Sequence, residues 1–144
     1  MVSSAVAASA TEDDASFSVD LLAGVSDVDA SDALAVIGLT VTGGDASGVT
    51  VSGNSLSVDA NAYNSLAVGE SAIIVYNYNI IDGEGGSVAQ TATITITGEN
   101  DGPTVSGVVT DSGTEDDAVF AFDLLAGSND ADTTDVLNVS GLTL

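Results

Sequence analysis

Carboxylates carry almost all the chemistry open to this chain, and they are clustered. Asp27, Asp29 and Asp32 fall within one six-residue stretch, Asp82 and Glu84 flank a single glycine, and Glu99, Asn100 and Asp101 are consecutive. The 144 residues include 22 acids and not one lysine, arginine or histidine. No side-chain cation can therefore neutralise a cluster, and like charges at this spacing repel unless a counter-ion joins them. Hard divalent cations, calcium above all, bind through roughly six to eight oxygens of this kind. The acids thus point to Ca2+ as the ion and to a fold whose rigidity depends on it. An EF-hand reading of Asp27 onward fails, because Asp32 stands where the loop needs glycine and Gly38 where it needs glutamate.

The rest of the composition describes a chain that folds. Hydrophobic residues make up 44% and charged ones only 15%, with Val, Ile and Thr prominent; acidic disordered tails lack that β-branched content. Sixteen glycines and one proline suit many strands and tight turns. With no cysteine there are no disulfides, thiolate sites or thiol catalysis, and a small extracellular domain then needs another cross-link, for which bound metal serves. The negative charge excludes nucleic acid and direct contact with an anionic membrane, both of which require basic patches. No stretch approaches the roughly 18 apolar residues of a membrane span. Residues 1–10 lack the basic start of a signal peptide.

Period-two alternation predicts strands near 2–9, 15–20, 33–42, 47–52, 55–58, 71–81 and 87–98, with no helix. Ile74, Tyr76, Tyr78 and Ile80 share one face of the sixth. Val88, Ala92, Ile94 and Ile96 face the core from the seventh, leaving Thr91, Thr93, Thr95 and Thr97 outward. Gly53-Asn54 reads as a hairpin turn, and Asp82 to Gly86 joins the last two strands. Seven short strands in about 100 residues imply an all-β, immunoglobulin-like sandwich, with Tyr63 a candidate tyrosine corner.

Self-comparison adds a second level. Thr11-Glu12-Asp13-Asp14-Ala15 recurs as Thr114-Glu115-Asp116-Asp117-Ala118, and Asp20-Leu21-Leu22-Ala23-Gly24 as Asp123-Leu124-Leu125-Ala126-Gly127, both 103 positions on. Asp27, Asp29 and Asp32 match Asp130, Asp132 and Asp135 in the same register. Such a period is too long for a solenoid turn and suits a whole β-domain. Residues 1–103 are read as one complete repeat and 104–144 as the N-terminal part of a second, truncated one. The chain is then a piece of a tandem array, with Met1 supplied as a start codon.

These blocks, together with Ala62-Tyr63-Asn64-Ser65-Leu66-Ala67-Val68-Gly69-Glu70-Ser71 and Thr91 to Pro103, resemble the tandem extender repeats of bacterial RTX-type adhesins. These are VCBS or cadherin-like domains, found among others in marine ice-binding adhesins. The nonapeptide Gly-Gly-x-Gly-x-Asp of other regions of such proteins is absent. The resemblance implies a seven-stranded cadherin-like sandwich in tandem repeats, secreted to the cell surface of a bacterium. There, calcium-stiffened spacers hold a terminal adhesive domain away from the cell, with neighbouring repeats of the same chain as partners. It also implies where the ions sit. Asp82 and Glu84, the linker Glu99, Asn100 and Asp101, and Glu115, Asp130 and Asp132 would converge at one junction. Glu12, Asp27, Asp29 and Asp32 would serve a preceding repeat.

Two rival functions follow from the same residues. An enzyme would have only carboxylates, hydroxyls and tyrosine to work with. A glycosidase built on two carboxylates would lack tryptophan and have six aromatics in all for a sugar platform, so no enzyme is expected. The alternative is direct binding of ice or glycan by the outward threonine row, a row that also simply suits the exposed face of a strand.

Overall fold

The computed structural model of the chain describes residues 4–143. Seven strands form in the first two-thirds: β1 (Val6–Thr11), β2 (Phe17–Asp20), β3 (Ala35–Gly43), β4 (Val49–Ser52), β5 (Ser55–Val58), β6 (Ser71–Ile81) and β7 (Ser87–Thr97). They make two sheets, ordered β1-β7-β6-β3 and β2-β5-β4. All neighbours are antiparallel except β1 and β7, which run parallel from Val6↔Ala92 to Thr11↔Thr97.

Alternation decides which face each strand buries. Ile74, Tyr76, Tyr78 and Ile80 point inward from β6, and Ala92, Ile94 and Ile96 from β7; Leu21, Leu56 and Val58 meet them from the second sheet. Each large aliphatic side chain taken wholly out of water stabilises the sandwich by about 1.5–3 kcal/mol. Two buried tyrosines also bond their hydroxyls to main chain. Tyr78 donates to the Leu21 carbonyl at 2.9 Å, tying the two sheets, and Tyr63 donates to the Asp45 carbonyl at 2.8 Å. Tyr63 ends a single 3₁₀ turn (Ala60–Tyr63), the one helical element among the described residues. It reaches 18 residues back, rather than the few of the usual tyrosine corner.

The strand expected at 2–9 pairs at 6–11 instead; residues 1–3 lie outside the described residues. Its register is fixed by Ala92–Thr97, and Ser4 is held through its carbonyl by the Gln90 side chain, not by the ladder. Gly53-Asn54 does turn β4 into β5, with Gly53 at φ +59°.

Beyond Thr97 the chain keeps little regular structure. β8 (Thr104–Val105) pairs with β9 (Ser128–Asn129), and residues 107–127 form no strand. Phe120 and Phe122 stay 54% and 42% exposed, whereas Phe17 and Val19, their matches 103 positions earlier, pack in the core.

The topology assigns the loops to two ends. β1 and β7 finish together, so Glu12 and residues 98–101 share the exit end. The β6–β7 turn and the loop from β2 to β3 lie at the opposite, entry end, because β6 and β7 are antiparallel and Ala35 pairs with Ile81.

Candidate metal centre

At the entry end, Asp27 and Asp32 come from the β2–β3 loop and Asp82 from the β6–β7 turn. One carboxylate oxygen from each lies within 4.8 Å of the others, and all three residues are half-buried. Local hydrogen bonds shape the loop: the Asp29 amide donates to Asp27 Oδ1 at 3.1 Å, and the Asp32 amide to the Asp29 carbonyl at 3.1 Å. Asp82 Oδ1 accepts the amides of Glu84 and Gly86, both at 2.8 Å. Those amides, the Glu84 one first, hold its carboxyl below the usual range, against a smaller opposing effect of desolvation. The turn can wrap the carboxylate because Gly83 and Gly85 adopt φ +85° and +109°. A Cβ on Gly86 would collide with Asp82 itself.

At the exit end the acids come from both sides of the linker. Glu12 is 1% exposed; its Oε1 accepts the Glu99 amide, and its Oε2 has no partner. Asp132 is 2% exposed; its Oδ2 accepts the Asp101 amide at 3.0 Å, and its Oδ1 has no partner. Asp130, Asp132 and Asp135 bring one oxygen each within 4.8 Å of one another. Asn64 donates to Asp101 Oδ2 at 2.7 Å. The Thr133 hydroxyl and amide both reach the Ser65 carbonyl, at 3.3 and 3.4 Å.

The predicted ligands are therefore sorted differently from the expectation. Asp82 and Glu84 do not meet Glu99, Asn100 and Asp101; they stand with Asp27, Asp29 and Asp32 at the other end of the sandwich. A hairpin turn necessarily lies opposite the exit of its second strand. Glu12 moves the opposite way, beside Glu99, because β1 is parallel to β7. Within each end the residues are not equal. Asp29, Glu84, Glu99 and Asn100 are exposed. The Glu84 and Glu99 amides cap Asp82 and Glu12, and the Asn100 amide group bonds the Asp101 carbonyl. Glu115 lies exposed in the strandless segment, outside both trios. Sequence reading missed Asp135 and Asn64 as site residues. Asp135 was signalled by its match to Asp32, while nothing in local sequence singles out Asn64.

Two buried carboxylate oxygens without partners, in a chain without a side-chain cation, fit a hard cation. Carboxylates with nearby carbonyl and amide oxygens are the donors calcium takes. Fold and site together define an all-β sandwich module with acid-lined ends. The chain belongs to the cadherin-like domain family, whose profile matches residues 1–97. No curated protein matches it. The family is structural and adhesive, not typically enzymatic; its domains generally bind calcium and point to a place outside the cell or at its surface. No helix among the described residues is long and apolar enough to cross a membrane.

Proposed function

We propose that the chain is a calcium-rigidified extender module of a secreted bacterial adhesin, with repeats stacked end to end to project a terminal adhesive domain. The observation that carries this reading is the pair Glu12 and Asp132. Both are almost wholly buried beside the linker, one on each side of it, and each has an oxygen that nothing among the described residues satisfies. Ions held by these carboxylates on the two sides of the linker would fix the orientation of one repeat on the next. A site whose dissociation constant lies about 100-fold below ambient calcium adds roughly 2.7 kcal/mol of stability. Extracellular modules typically bind at about 0.1–1 mM, so such joints would load outside the cell and stay loose during export. The test is thermal melting and small-angle scattering of the chain in calcium and in chelator. Calcium should raise the melting temperature and sharpen the distance distribution; superimposable curves in the two conditions would remove the function.

The rival reading, direct binding of ice or glycan, draws on the outer face of β1-β7-β6-β3. There Thr93, Thr95 and Thr97 stand between β1 and β6, with Thr91 beside Asn77 of β6, on a face without acids. Thermal hysteresis or glycan capture independent of calcium would favour it.

A further inference from the structure

β7 has two candidate partners in this chain. Residues 6–11 form β1, and residues 109–114 repeat them 103 positions later as Val109, Thr110, Asp111, Ser112, Gly113 and Thr114. The turn that follows is preserved too: the Thr11 amide bonds Asp14 Oδ2 at 2.9 Å and the Thr114 amide bonds Asp117 Oδ2 at 2.6 Å. β1 is an edge strand, held by β7 alone, so exchange would displace one strand and leave the rest of the sandwich in place. Chain length does not forbid it. Residues 98–108 reach about 36 Å when extended, and returning along β7 from Thr97 to Ala92 takes about 17 Å.

Side chains on the inner face do discriminate. Val6, Ala8 and Ala10 lie opposite Ala92, Ile94 and Ile96, all three of which are fully buried. In the exchanged register Val109 would match Val6 and Gly113 would lose only a methyl group. Asp111 would replace Ala8 and face Ile94. A carboxylate there would be desolvated against an aliphatic layer, in a chain with no lysine, arginine or histidine to pair with it. Inward-pointing charge on an edge strand is one of the ways proteins block wrong pairing. We propose that Asp111 is a specificity-determining residue for strand pairing: it denies residues 109–114 the place of β1, so that neighbouring copies of one sequence do not exchange first strands. In the structure Asp111 is exposed and its segment stays off β7.

The chain has no cysteine, which makes disulfide trapping clean. Thr93→Cys with Ala7→Cys reports the native pair, and Thr93→Cys with Thr110→Cys reports the exchanged one; both pairs lie on the outer face. In a glutathione buffer the native pair should oxidise and the exchanged pair stay at background. Adding Asp111→Ala should raise the exchanged cross-link about tenfold or more, while Asp111→Glu should leave it unchanged. Melting curves of the Asp111 variants should match the parent, because the residue is exposed. Equal cross-linking with Asp111 and with Asp111→Ala overturns the proposal, as does an exchanged pair that already dominates with Asp111 in place.

Discussion

The same acidic loop occurs twice in this molecule, in two settings. Asp27, Asp29 and Asp32 have the spacing of Asp130, Asp132 and Asp135. In the first setting the loop lies beside the β6–β7 turn and recruits Asp82. Its middle acid, Asp29, is exposed. In the second the loop lies against the exit end of the sandwich, and its middle acid, Asp132, is 2% exposed. Each setting holds a part the other lacks: the β6–β7 turn beside the first loop, the exit end of the sandwich against the second. Burial of the middle acid is therefore not written in the loop; it is imposed by what docks on it. A joint of the proposed kind would bring loop, turn and exit-end oxygens together, closer to the roughly six to eight a calcium ion takes.

The largest perturbation removes the scaffold both settings depend on. Ile94 is wholly buried between the sheets, and Ile94→Ala should cost about 2–5 kcal/mol. Urea unfolding in chelator measures it. A loss below about 1 kcal/mol would mean that the sandwich is not what holds the two ends apart.

A smaller change reverses sign with calcium. Glu12 carries a buried oxygen with no partner, so without an ion its charge is a burden. Glu12→Gln should raise the unfolding free energy in chelator and lower it in calcium, by an amount on the order of 1–3 kcal/mol in each direction. Asp29→Asn, at an exposed acid, should move neither by more than about 0.5 kcal/mol. If the two variants behave alike in both buffers, the contrast between buried and exposed acids has no functional meaning.

The strands were legible because alternation is a local property. Residues 71–81 and 87–98 were read almost to their ends, and the inward set Ile74, Tyr76, Tyr78 and Ile80 is the observed one. The clustering of the acids was legible for the same reason: charge and spacing lie in the sequence. Their grouping in space was not. Whether Asp82 joins Asp27 or Asp101 depends on which end of a hairpin the linker leaves, and whether Glu12 joins Glu99 depends on β1 being parallel to β7. Both are long-range facts of topology. Asn64 was invisible because its partner, Asp101, is 37 residues away.

The tyrosines sharpen the other half of the comparison, the closed core against the open ends. Burial, its largest cause, raises the pKa of Tyr63, Tyr76 and Tyr78 from the ordinary 10.0. Above pH 10 the unfolded chain loses these protons before the folded one does. The contribution is complete below pH 10 and declines as pH rises through the folded values. Tyr63→Phe should make that decline shallower and, by losing the bond to Asp45, cost about 0.5–1.5 kcal/mol near neutral pH. Melting between pH 8 and pH 11 checks both, with calcium held constant so that the ends do not contribute.

The smallest effect is the most direct test of docking. Thr133 places its hydroxyl and amide on the Ser65 carbonyl, and its match in the first loop is Ala30. Thr133→Ala should shift the amide resonances of Ser65 and Leu66 while costing only a few tenths of a kcal/mol, since both contacts are long and exposed. Ala30→Thr supplies the missing hydroxyl to a loop with no exit end against it, so it should leave resonances outside that loop where they were. A reversed pattern, with Ala30→Thr perturbing Ser65, would mean that the first loop also meets an exit end in solution. The two settings would then be one, reached through a second molecule.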